Sequence, residues 1–184
     1  MVMDLMEIVV SRYKEDVSWV NQLNYKTRVF NKNIEENHLF EHNLPNVGRE
    51  THTYLNYIIE NYYNLPNHVA FIQGHPFDHA PNAIQLINSF DHTVSFLPIG
   101  QVIESDINHG IPDQIKRYAN KYDFEIGETA KYVVGAQFII SKEIIKNRSL
   151  DFYKRLMEGV KYDICPWDSY DFEKCALTIF KINV

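Results

Sequence analysis

Apolar residues along the chain fall into runs of two periods. "MEIVVSRY" (6–13) is a compact β-branched run and predicts a buried strand. "YKTRVFNK" (25–32) alternates and predicts a second strand. After the turn "PNVGRE", the segment "THTYLNYIIENYYNL" sets Leu55, Ile58, Ile59 and Tyr62 at i, i+3, i+4 and i+7, one face of a helix. "HVAFIQG" (68–74) predicts a third strand, and "APNAIQLINSF" a short helix with Pro81 suited to its first turn. Farther on, "VSFLPIG" (94–100) and "KYVVGAQFIIS" (131–141) read as extended and "PDQIKRYANKY" (112–122) as a short helix. Ser149 is placed to cap a helix carrying Tyr153, Leu156, Met157 and Val160. A last helix from about Ser169 puts Phe172, Cys175, Ala176 and Ile179 on one face.

Strands alternating with helices predict an α/β fold, a mostly parallel sheet with helices on both faces, in a single domain over 1–184. Ligands of such sheets gather beyond the carboxyl ends of the strands. The exits "SRYKED" and "GHPFDH" are therefore the first places to look for chemistry.

Composition narrows the classes. At 184 residues and 45% hydrophobic, the chain can bury a large core without staples. Cys165 and Cys175 have neither zinc-knuckle nor redox CxxC spacing and read as reduced packing residues. A net charge of −6 opposes a nucleic-acid partner but leaves room for one local basic pocket. "MVMDLMEIVV" lacks the basic region of a signal peptide, and no stretch approaches the roughly 20 apolar residues of a membrane span. A cytoplasmic protein without a membrane span is the expectation.

Four segments carry candidate chemistry. In "SRYKEDVSWV", Arg12 and Lys14 suit phosphate, and Glu15 or Asp16 suit a ribose or base; alternatively Asp16 or Ser18 caps a helix begun at "VSWV". Arg49 in "NVGRETH" sits at a helix start, where a cation is unfavourable to the helix dipole. An anionic ligand there would explain it, as would pairing with a nearby carboxylate. In "GHPFDH" the spacing of His75 and His79 suggests zinc, but Pro76 breaks a helical pair and no further Cys/His cluster completes a tetrahedron. Asp78 is then a single carboxylate for Mn²⁺ or Mg²⁺ bridged to phosphate, or an Asp that fixes its own loop. "CPWDSYDFEKCALTIF" gathers Asp168, Asp171 and Glu173 near Trp167 and Tyr170, a combination suited both to sugars and to an ordinary helix N-terminus.

Taken in order, "VVSRYKEDVSWV", "LPNVGRETHTYLNYIIENYYNLPNHVAFIQGHPFDH", "VGAQFIISKEIIKNRSLDFYKRL" and "DFEKCALTIF" resemble a family of short bacterial, fungal and viral proteins. Its members look like GT-A glycosyltransferases, including glycosyltransferase-like domains of large algal DNA viruses. The resemblance implies a GT-A-like, Rossmann-like fold, a nucleotide-sugar donor, and a glycan or glycoprotein acceptor. It implies donor contacts from Arg12, Asp16, Arg49 and Gln73, and a Mn²⁺ or Mg²⁺ ion on Asp78. Gln137 in "GAQF" and Trp167 would lie on the acceptor side, with Glu173, or failing it Asp168, as the catalytic base. The chain has no D-x-D, so the implied metal rests on Asp78 alone. A non-catalytic nucleotide- or glycan-binding module on the same scaffold is the alternative, and a metal-dependent hydrolase using His75, Asp78 and His79 a third.

Overall fold

A computed structural model of the chain describes residues 5–106, 112–127 and 129–182. Among the described residues the strands are β1 (Met6–Arg12), β2 (Lys26–Asn31), β3 (His42–Asn43), β4 (His68–Gln73), β5 (Phe96–Pro98), β6 (Val102–Asp106), β7 (Thr129–Val133) and β8 (Phe138–Ser141). The α-helices are α1 (Arg49–Asn61), α2 (Ala83–Asn88), α3 (Pro112–Tyr122), α4 (Lys142–Ile145), α5 (Leu150–Glu158) and α6 (Trp167–Ile179). Six strands form one sheet in the order β3-β2-β1-β4-β8-β5, and β6 pairs with β7 separately. β3, β2, β1 and β4 are mutually parallel, whereas β8 runs antiparallel to both β4 and β5. The sheet is therefore parallel in one half and mixed in the other.

Every residue of β1 is buried, as a central strand covered on both faces must be. Alternation splits its side chains between two cores. Val9 joins Phe30, Val69, Phe71 and Phe138 in the larger core, beneath α1, α3, α5 and α6. Met6, Ile8 and Val10 join Ala70, Ile72 and Ile139 in the smaller core, beneath α2 and a 3-10 turn at Ser18–Gln22 carrying Trp19. Both faces are thus covered, unequally.

One polar group interrupts the larger core. Glu7 is 4% exposed and accepts hydrogen bonds from Tyr57 and Arg28, with Lys26 Nζ 2.9 Å away. Burial pushes its carboxyl up, but the bonds from Tyr57, Lys26 and Arg28 outweigh that and hold it below the usual glutamate range. The stability it contributes is present above the ordinary value of 4.5 and is lost as pH falls through the lowered folded value. Glu7→Gln is expected to cost about 1–2 kcal/mol at neutral pH and to flatten the acid limb of the stability curve. Urea melts of both proteins at neutral pH and at about pH 3 check this; parallel loss in the two would contradict it.

Several elements differ from the sequence expectation. The run 131–141 is two strands, because Gly135 and Ala136 both take positive φ (75° and 50°) and turn the chain between β7 and β8. Pro81 lies before the cap of α2 and not in its first turn. α6 begins at Trp167, two residues ahead of Ser169. Ser149 caps α5 as expected, accepting from Phe152 N at 3.2 Å. Among the described residues no helix is long and apolar enough to cross a membrane.

Candidate ligand-binding cleft

The parallel strands run outward from β1 through β2 to β3, and the chain then returns to place β4 on the other side of β1. The reversal falls between β1 and β4, which is where doubly wound sheets leave a crevice at their carboxyl edge. A cleft of about 520 Å³ lies there. The exit of β1 contributes Arg12, the exit of β4 contributes Gln73 and Asp78, and the start of α1 contributes Arg49 and Glu50. Tyr13, Lys32 and Asn46 line both this cleft and a neighbouring cavity of about 550 Å³.

Arg49 owes its position to backbone geometry. Gly48 and Arg49 both have positive φ, 61° and 48°. A non-glycine residue there is strained, and the surroundings must hold it. Gly48 N donates to Asp163 O at 2.7 Å and Arg49 N to Ile164 O at 3.2 Å. Lys32 Nζ donates to Val47 O at 2.6 Å and also to Arg49 O, so an ammonium grips the turn from below. The guanidinium lies 4.6 Å over the Tyr170 ring and 3.6 Å from Glu50. The N–H groups of the cap Gly48 and of Arg49 are already bonded to the 163–164 segment, so what this helix start adds to the cleft is the Arg49 guanidinium.

The floor of the cleft holds charges in a dry setting. Lys32 is 4% exposed; burial pushes its ammonium down to about 7, against the pull of Glu50. Burial raises the Glu50 carboxyl despite the Arg49 charge, with Glu173 adding to the rise. His52 is held down at about 4 by burial and by Lys32. Perturbed groups gathered at a cleft are a mark of functional sites. Lys32 and Glu50 were not among the residues singled out above.

The other candidates divide. Arg12 lines the cleft, but Nε donates to Glu15 O at 2.9 Å, Nη1 to Tyr13 O at 3.2 Å and Asn31 Oδ1 at 2.7 Å, and Nη2 to Glu36. Phe40 stacks 4.5 Å away. Its fork mainly builds the wall. Asp16 lies outside the cleft and accepts from Ser18 N at 2.8 Å, closing a local turn; the cap position of the 3-10 segment is Val17, with no side-chain cap. Gln137 is fully buried and accepts from Gln73 N at 3.2 Å, so it braces the exit of β4 and offers no acceptor surface. Glu173 stands behind the cleft, its Oε1 accepting from Gly135 N at 2.8 Å. Asp168 accepts from Lys121 at 2.7 Å and from Tyr122, joining α6 to α3 in a separate cavity with Trp167.

Asp78 lines the cleft with its side chain 77% exposed and His75 Nε2 at 3.5 Å. Among the described residues no three His, Cys, Asp or Glu side chains come together as ion ligands. One exposed carboxylate alone does not make a resident site for Mn²⁺ or Mg²⁺; such an ion would rest on Asp78 together with waters and a donor's phosphates.

Comparison with known proteins adds the family. No curated protein matches the chain. Residues 8–106, more than half of its 184, match the family described as "Protein of unknown function (DUF3431)". They run from β1 through β6 and include every cleft residue from Ser11 to Asp78. The chain is a member of that family.

Proposed function

We propose that this protein is a glycosyltransferase that takes a nucleoside-diphosphate sugar in the switch-point cleft and moves the sugar to a hydroxyl acceptor. The observation that carries the reading is the single volume lined by Lys32, Arg49, Gln73 and Asp78, next to a second cavity that shares Tyr13, Lys32 and Asn46 with it. The first volume suits a diphosphate and sugar, the second a nucleoside. The motifs quoted above, which resemble those of GT-A-like proteins, support the same assignment.

In this reading the donor's C1–O bond to phosphate breaks as the acceptor oxygen bonds to C1, and negative charge grows on the diphosphate. The Arg49 fork and the buried Lys32 ammonium meet that charge, and a cation held out of water, as Lys32 is, acts more strongly than one in it. Asp78, an exposed carboxylate on the β4 side of the same cleft, is the group available to take the acceptor's proton.

Thermal melts test the donor site. UDP or GDP at about 1 mM is expected to raise the melting temperature, with EDTA present, by mass action on the folded state. Arg49→Ala is expected to weaken that binding by about 10–150-fold, the loss of a charge-assisted hydrogen bond. No shift with any nucleoside diphosphate at about 10 mM, well above usual substrate affinities, would sink the reading.

A second reading, a nucleotide-binding module without turnover, has one observation in its favour. Asp168 and Glu173, the acids expected to be catalytic, are both held in bonds that build the fold. Nucleoside diphosphate freed from a nucleotide sugar in the presence of acceptor, and lost in Asp78→Asn, decides for the first reading.

A further inference from the structure

A separate cavity of about 360 Å³ lies between α3 and the start of α6. Trp167 stands on its rim, a large apolar ring that is 71% exposed. The floor is polar and fixed. Asp171 is 4% exposed, and among the described residues its one hydrogen bond comes from Gln114 Nε2 at 3.2 Å. Asp168 is anchored by Lys121 and Tyr122. Arg117, its Nε turned to Asp113 O at 3.0 Å, and the buried Tyr118 complete the lining. Two carboxylates face two cations, so the cavity carries no net charge of its own and does not select an ion.

The volume lies in the range of small-ligand sites, about 300–1,000 Å³. A flat aromatic platform beside rigid donors and acceptors calls for a ligand with an apolar face and a rim of hydroxyls. A pyranose has that shape: its C–H groups meet the electron-rich ring face, and its hydroxyls can give to a carboxylate while taking from an amide. A charged ligand would leave one of the two fixed ion signs opposed.

We infer that the α3–α6 cavity is a saccharide-binding site for a neutral hexopyranose chain, with Trp167 as its stacking platform and Asp171 and Gln114 as its hydroxyl partners. The site adjoins the switch-point cleft. The Trp167 and Tyr170 ring centroids are 6.0 Å apart, and Tyr170 lies under Arg49. A chain bound on Trp167 can therefore extend toward the donor. Its role as acceptor rests on the glycosyltransferase reading; its binding of sugar does not.

The chain has two tryptophans, of which Trp19 is buried, so quenching by a sugar reports on Trp167. The protein is titrated without nucleotide against hexasaccharides of glucose, mannose, galactose and N-acetylglucosamine. Quenching by at least one of them is expected, reduced about tenfold or more in affinity by Asp171→Asn, and titration calorimetry with that sugar is expected to find no binding by Trp167→Ala. Both variants are expected to keep the wild-type thermal shift with UDP or GDP. Quenching by none of the hexasaccharides at about 10 mM, or binding that survives in Trp167→Ala, overturns the inference. Sugar binding without any nucleotide shift would leave this site standing and remove the glycosyltransferase.

Discussion

Gly48→Ala is expected to lower the melting temperature by about 6–12 °C, without any ligand present. Two effects add. A side chain at φ +61° costs about 1–2 kcal/mol relative to glycine. The new Cβ would also stand 2.5 Å from Val160 O and 2.8 Å from His52 Cβ. Overpacking of that kind costs about 1–3 kcal/mol when the neighbours cannot move. Here they cannot: one is backbone beside a fully buried side chain, and the other is a buried residue of α1. Lys32 ties the carbonyls on either side of the glycine, so the turn has little freedom to open. The sum of about 3 kcal/mol converts at about 2–4 °C per kcal/mol for a chain of this size. Circular-dichroism melts decide the matter, and a fall under about 2 °C would mean that the turn is not rigid. Arg49 shares the strain, so a surviving Gly48→Ala protein should also bind nucleotide less well.

Nucleotide binding is expected to weaken progressively above neutrality, approaching about tenfold per pH unit and reaching about 50-fold between pH 7 and 9. In the empty cleft Lys32 loses its proton at about 7, because burial disfavours the ammonium more than Glu50 favours it. A diphosphate favours the ammonium and raises that value. Above pH 7, binding must therefore take up a proton at Lys32, and affinity falls until the bound-state value is passed. Below pH 7 Lys32 is charged in both states and contributes no slope. His52, held at about 4, is neutral throughout, and the nucleotide's own phosphate completes its ionisation near pH 6. Glu50, its carboxyl raised by burial, shares this floor, and Lys32→Met separates the Lys32 contribution from that of every other group: the variant should bind weakly and lose the Lys32 share of the slope. Titration calorimetry at pH 8 in two buffers of different ionisation enthalpy measures the uptake, and equal heats in both would contradict it.

Much of the scaffold could be read along the chain because its periods are strong. α1 and α5 carry a helical period, and β1 and β4 are short runs that their length and β-branched or aromatic residues mark as strands. The break within 131–141 escapes such reading, since a single glycine does not announce that the alanine after it also takes positive φ. The antiparallel return of β8 follows from that turn and was equally hidden. For the cleft, the rule that strand exits face ligands finds Arg49's neighbours Gln73 and Asp78. It would find Lys32 as well, because "NKNIEEN" leaves β2 on the same edge; what marks Lys32 out is its burial, which a residue type does not report. Arg12 shows the opposite failure. Its partners Asn31 and Glu36 come from another strand and the turn beyond it, so a residue that looks free to bind phosphate is mostly engaged at home. Asp168 is diverted in the same way by Lys121 and Tyr122.

The bonds from Gly48 and Arg49 to Asp163 and Ile164 stitch the family-matched segment to chain that lies well beyond residue 106. Cutting the gene at that boundary would not yield a smaller working unit. It would strip β4 of the partner on its far edge, take Ile164 from the rim of the ligand cleft, and free the strained turn at Arg49 from its outer restraint. The chain beyond residue 106 is thus a structural component of the binding site, and a minimal functional version of this protein has to keep it.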